Sequence, residues 1–246
     1  MTEGWLKEAV KACHLPPAPS LDELLKRVRV ALQLLPKPQP HLTSDHVRDW
    51  LKSRGRAHGA LPQQRRRLHG CMVAQAGKGV LFYDSEDDEA QQRFTLVHEV
   101  AHFVLDHLLL RERARRVLGN DILQVLDGQR APSPHESLFS VLERISFGVQ
   151  VRLMERNASG DPRTGRAMEA ELNADRLAFE LLAPAEEVVP LVRRFSKQEA
   201  EAELVSRFGL PPQEARCYVR LLLAREPVRR PFFLKSVSRQ ERSYGG

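Results

Sequence analysis

The stretch Phe94–His107, FTLVHEVAHFVLDH, decides how this chain is to be read. His98 and His102 stand four residues apart, with Glu99 directly after the first. On a helix, positions i and i+4 lie on one side, so the two imidazoles project together. Val97, Ala101, Val104 and Leu108 form one apolar stripe beside the face of His98, His102 and Leu105, which predicts a largely buried helix. Thr95 is its expected N-cap. Two imidazoles at this spacing can reach one zinc ion, and a glutamate beside the first can take a proton from a water on that ion. His98 and His102 are therefore candidate metal ligands, and Glu99 is the candidate general base. His107 lies five residues past His102, off the ligand face, and reads as structural or as a support for a ligand.

A catalytic zinc takes a third protein ligand and keeps one position open for water. The segment EAELNADRLAFELLAP, Glu169–Pro184, supplies one on a helix expected from about Arg166 to Leu182. Glu171 and Asp175 stand four apart, and Ala174 and Ala178 on the same side would let another helix approach closely. Glu171 is the candidate third ligand, with Asp175 able to orient a ligating imidazole through its other ring N–H. Glu169 competes for the ligand role, but it points about 200° away from Glu171 and has no such partner. The acidic run DSEDDEAQQ, from Asp84 to Gln92, lacks the glycine and terminal glutamate of a calcium loop and is expected to be solvated.

The bulk properties agree with a soluble globular protein. The chain has 246 residues, 42% hydrophobic and 28% charged, and no apolar run long enough to span a membrane. Glu3 and Glu8 near the N-terminus, without an apolar signal core, and three scattered cysteines point to the cytoplasm. A net charge of +6, with arginine clusters at Arg65–Arg67, Arg111–Arg116 and Arg229–Arg230, permits attraction to nucleic acid or an acidic partner. No aromatic residues interleave with the arginines as single-strand binding would want.

Three regions are expected. Residues 1–60 read as helical, with a Ser20/Glu23 capping box, a change from helix to strand between Val28 and Leu34, a break at PKPQP, and a helix from a Ser44 cap to Gly55. Residues 61–192 hold a strand pair around Ala76-Gly77-Lys78-Gly79, the two site helices, and an insertion at about 109–165 with helical patterns, a Pro/Ser loop and a turn-rich end. Residues 193–246 read as two helices around Gly209, the first with a Ser196/Glu199 capping box, and a partly disordered tail.

RFTLVHEVAHFVLDH followed by ELNADRLAFELLAP closely resembles the ImmA/IrrE family of metallo-endopeptidases, related to the gluzincins. GCMVAQAGKGVLFYD and LVSRFGLPPQEARCYVRLL look like the neighbouring segments of that family, so the resemblance spans roughly residues 61–225. It implies an α+β, zincin-like domain with a small, mostly antiparallel sheet, followed by helix-turn-helix-like helices. In gluzincins the third ligand is the first acid of a Glu-x-x-x-Asp pair, which carries over to Glu171 with Asp175 as its companion. Zinc is the implied ion, with another divalent metal such as Mn2+ as the alternative. The implied activity is cleavage of a cytoplasmic protein, a helix-turn-helix transcriptional repressor, in a regulatory or stress response. Residues 103–170 separate His102 from Glu171, more than the compact linker usual in that family, so the insertion reads as a lid, a partner surface or a tolerated addition. His107, His135, Tyr83 and Tyr218 are all candidates for the donor to a tetrahedral oxyanion. Two other classes compete: a DNA-binding regulator using the basic C-terminal helices, and a metal-binding scaffold without catalysis. Glu99, which metal binding does not need, argues against the scaffold.

Overall fold

The computed structural model describes residues 4–16, 20–56, 61–139, 148–155 and 165–225. The proline-rich stretch expected as a break is instead the first strand, β1 (Leu34–Gln39). Pro36 and Pro38 stand at alternate positions, so both missing N–H groups fall on one side of the strand. The other side pairs in parallel with β3 (Lys78–Asp84), which is antiparallel to β2 (Leu68–Gln75). Ala76 and Gly77 join β2 to β3 with φ of 53° and 77°. Two successive positive φ angles make the tight turn whose twist suits a two-residue hairpin. A fourth strand, β4 (Gln150–Glu155), adds antiparallel to β2, giving the order β1-β3-β2-β4. The sheet is small and mixed, with two of its three pairings antiparallel.

Before the sheet come α1 (Gly4–Cys13) and α2 (Leu21–Leu32). Ser20 caps α2 by accepting the Glu23 N–H, but the Glu23 carboxylate turns to Arg27 instead of completing a box. Through Leu32 the alternation is helix, and the expected handover to strand comes just before Leu34, the first residue of β1. Val30 is 86% exposed on the outer face of α2, and the change of structure falls at Gln33, whose φ is 52°. In α3 (Ser44–Ser53) the N-cap is Thr43, whose N–H donates to His46 Nδ1. Ser44, the expected cap, is buried and accepts the Arg66 N–H at 3.0 Å.

The sheet divides two clusters of buried side chains. Phe82, Val73, Cys71 and Leu68 face α3, with Leu42, Val47 and Leu51. Met72, Ala74, Leu81 and Tyr83 face the opposite side, against α4 (Glu89–His102). A π-helical turn, Phe103–Leu108, continues α4 into α5 (Leu109–Leu118), followed by the short α6 (Ile122–Leu126) and α7 (Pro134–Ser137). After β4, α8 (Gly165–Leu182) packs along α4 through Ala174 and Ala178, both fully buried. Then come α9 (Ala185–Arg194), α10 (Lys197–Phe208) and α11 (Pro212–Arg225).

At α10 the expected capping box forms: Ser196 N–H donates to Glu199 Oε2 at 2.8 Å, and Gly209 ends the helix with φ 65°. Leu204, Leu210, Ala215, Tyr218, Val219 and Leu222 from the α10–α11 region join the same buried cluster as α4 and α8. Residues 109–165 thus include a sheet strand that the sequence pattern did not show, while their turn-rich end and the tail lie outside the described residues. No described helix is long and apolar enough to cross a membrane.

Candidate metal centre

Asp88, within the acidic run, starts the helix that carries the paired histidines. Its carboxylate accepts the Gln91 N–H at 2.8 Å. Thr95, the expected cap, is buried mid-helix against Gly70 of β2. From Phe94 to His102 every residue of α4 is buried, because the sheet covers one flank and α8 the other. Polar groups reach such a position only when bonded or when held for a ligand. Here His98 is 3%, Glu99 1% and His102 2% exposed.

The two imidazole rings are 4.8 Å apart at their centroids. From α8, Glu171 Oε2 comes within 3.5 Å of His98 Nε2 and 3.6 Å of His102 Nε2. Tetrahedral zinc at its usual bond lengths spaces neighbouring donors about 3.3–3.5 Å apart. The three side chains thus stand at ligand spacing, each offering one donor atom within 4.8 Å of the others. Neither His98 nitrogen meets full hydrogen-bond geometry with a described residue, and Nε2 is the one that faces Glu171, as an atom able to take a cation would. Two nitrogens and one carboxylate oxygen suit zinc better than calcium or magnesium. The residues present therefore fit one divalent transition-metal ion.

Around this cluster each imidazole has a carboxylate on its far nitrogen. His98 Nδ1 is 3.0 Å from Asp175 Oδ1, and His102 Nδ1 is 3.0 Å from Asp106 Oδ2. Arg152, on β4, donates through Nε to that same Asp106 oxygen at 3.0 Å. Burial favours neutral imidazoles, yet Asp175 and Glu171 outweigh it and push His98 up to about 10. Asp106 and Glu171 likewise raise His102 against the effect of burial. On protein charges alone, then, the carboxylates draw positive charge into the cluster, and a divalent ion would compete with protons for that place. Burial drives the Glu99 carboxyl up to about 7, against the pull of the two imidazoles. The Met72 backbone lies close enough to lower it slightly, yet neither Glu99 oxygen meets full hydrogen-bond geometry with a described residue, so the carboxylate can accept from a water. Gly70 makes room for it: a Cβ there would lie 2.9 Å from Glu99 Oε1.

The other sequence candidates fall elsewhere. Glu169 is exposed and outside the cluster. His107 Nε2 accepts the Gly77 N–H at 3.0 Å, tying the π-helical turn to the hairpin, and burial with the nearby Arg111 lowers it to about 4. Tyr218 donates its hydroxyl to Ala183 O at 3.1 Å and stacks on Phe179. Tyr83 is a core residue, and His135 packs edge-on against Phe139 in the region of α7. Sequence reasoning missed Asp106 and Arg152. Asp106 follows His102 at the same helical spacing that singled out the histidines, so that signal was present. Arg152 had none, because it depends on β4 lying beside β2.

Fold and site together define an α+β protein with an HExxH helix and a His, His, Glu cluster able to hold a metal. Residues 54–121 match the model of the peptidase family described as the IrrE N-terminal-like domain, in agreement with the resemblance carried by the motifs. That span runs from β2 through α5 and includes His98, Glu99 and His102, while Glu171 lies beyond it. No curated protein matches the chain.

Proposed function

We propose that the protein is a zinc-dependent endopeptidase in which His98, His102 and Glu171 bind the metal and Glu99 is the general base. The observation that carries this reading is the convergence of three donor atoms from two helices beside a buried Glu99. When bound, zinc lowers the pKa of a coordinated water and polarises a peptide carbonyl. The Glu99 carboxylate takes the proton of the attacking water and returns it to the departing amide nitrogen. Asp175 and Asp106 hold the far nitrogens of His98 and His102, which fixes the tautomer and direction of each ring.

An extended substrate would add to a free sheet edge. The β2–β3 pair offers none, since β1 covers β3 and β4 covers β2. Among the described strands, β4 is the edge strand that reaches the site, through Arg152 and Asp106. The substrate we propose is a cytoplasmic protein, a transcriptional repressor cut in an accessible loop, on the strength of the ImmA/IrrE resemblance. Recognition through the arginines of α5 receives little support, because they are engaged within the chain: Arg111 with Asp127, Arg113 with Glu8, and Arg115 and Arg116 with Glu112.

Glu99→Gln tests the reading, since it is nearly isosteric and removes only the base. Metal content should stay at about one zinc per chain while hydrolysis falls by about 10² or more. Undiminished cleavage by this variant, with contaminating protease excluded, refutes the role of Glu99. Digestion of unfolded casein at many sites would replace the regulatory reading with that of a general peptidase.

A further inference from the structure

Arg152 joins the open edge of the sheet to the metal cluster, and the chemistry described above does not use it. Its position follows from strand register. Arg152 pairs with Met72 across β2 and β4, and directly paired residues of antiparallel strands place their side chains on one face. Met72 belongs to the cluster on the α4 face, whereas Val151 and Leu153 pack on the α3 face. The Arg152 side chain therefore leaves the edge strand toward α4, where its Nε meets Asp106 Oδ2 at 3.0 Å. That oxygen also faces His102 Nδ1 at 3.0 Å, so a single carboxylate oxygen links a candidate ligand to the edge strand. The π-helical turn begins directly after His102 and carries Asp106. Arg152 is half exposed, and its two Nη atoms have no hydrogen-bond partner among the described residues.

We propose that Arg152 is a positioning residue: it clamps the Asp106 carboxylate onto His102 and so holds the edge strand, to which substrate would add, in register with the metal. The proposal rests on the metallopeptidase reading above. A guanidinium suits the task because its planar donors fix direction as well as charge, which an ammonium does less well. Asp106 alone is held only from its own helix, through His102. Bonded to Arg152, it is held from a second, independent element.

The test follows release of zinc from the loaded, full-length protein into excess chelator, a readout that needs no substrate. Arg152→Gln should release zinc about tenfold faster than the wild type, at the low end for loss of a group supporting a ligand. Arg152→Lys should fall between the two, since its ammonium can still reach Asp106, and it carries the test if Arg152→Gln folds poorly. Asp106→Asn should release zinc about 10–100-fold faster. Adding Arg152→Gln to Asp106→Asn should then change nothing further, because the two residues act as one unit. On a peptide substrate, Arg152→Gln should lower kcat with KM within about twofold of wild type. Unchanged zinc release in Arg152→Gln overturns the proposal. So does a full additional loss in the Asp106→Asn background, which would mean that Arg152 acts independently of Asp106. A wild-type protein that takes up no zinc removes the metallopeptidase reading and this proposal together, so that control separates the two failures.

Discussion

Gly70→Ala probes how closely the sheet must approach the catalytic helix. A Cβ at position 70 would lie 2.5 Å from Thr95 Cγ2, 2.9 Å from Glu99 Oε1 and 3.1 Å from Glu99 Cγ. Carbon atoms rest at about 3.5–4.0 Å, so the first contact needs about 1 Å of relief. Thr95 is fully buried and β-branched, so its methyl cannot simply rotate away. Relief must come from parting β2 and α4 or from turning Glu99 aside. Overpacking of this kind costs about 1–3 kcal/mol. For a chain of this size that corresponds to a fall in Tm of roughly 2–12 °C. A displacement of about 1 Å at a catalytic group can cost about 10²-fold in rate.

The assay is a thermal melt, zinc content and peptide hydrolysis on Gly70→Ala alone and combined with Thr95→Ser. Serine keeps the hydroxyl that accepts from Gln91 Nε2 at 3.3 Å and removes the methyl. The double variant should regain most of the lost Tm yet stay slow, because the Glu99 contact remains. A Gly70→Ala protein with wild-type Tm and wild-type rate refutes the reasoning. Full recovery of activity by Thr95→Ser would show that the Glu99 contact has no catalytic consequence.

Other outcomes follow from the same geometry. His98→Ala, His102→Ala and Glu171→Ala should each lower zinc occupancy sharply by elemental analysis, while Glu169→Ala, on an exposed residue, should retain it. Because the His98 imidazole is raised to about 10, it carries a proton in metal-free protein at neutral pH, and His102 is shifted in the same direction, so zinc uptake should release protons. Affinity should therefore increase with pH across the neutral range, and calorimetry in buffers of different ionisation enthalpy should count the protons; uptake with no proton release would contradict the carboxylate-dominated cluster. Tyr218→Phe removes the bond to Ala183 O and should cost about 0.5–1.5 kcal/mol of stability in a denaturant melt without slowing hydrolysis. A large loss of kcat there would return Tyr218 to the list of oxyanion donors.

The local features of the site were legible in the residue pattern alone. His98, Glu99 and His102 occupy consecutive turns of one helix, so helical periodicity suffices to bring them together. Glu171, Asp175, Ala174 and Ala178 repeat that logic on α8, where small residues announce the close approach of a partner helix. The α10 capping box and the Gly209 stop were legible for the same reason, since each is a contract between residues a turn apart. Tertiary structure decided whatever depends on elements meeting from far along the chain. α4 begins at an Asp88 cap, not at Thr95, which is buried mid-helix where the sheet comes close at Gly70. PKPQP hides a strand, because prolines are tolerated on an edge only once a neighbour pairs with the other side. β4 was invisible because its alternation is incomplete, with every residue half buried at the sheet edge. Its pairing with β2 closes that side of the strand pair and brings Arg152 to Asp106. Helical spacing fixes neighbours at three and four residues through local backbone geometry, whereas strand pairing depends on which distant segments can bury their faces together, and that is settled only by the packed whole.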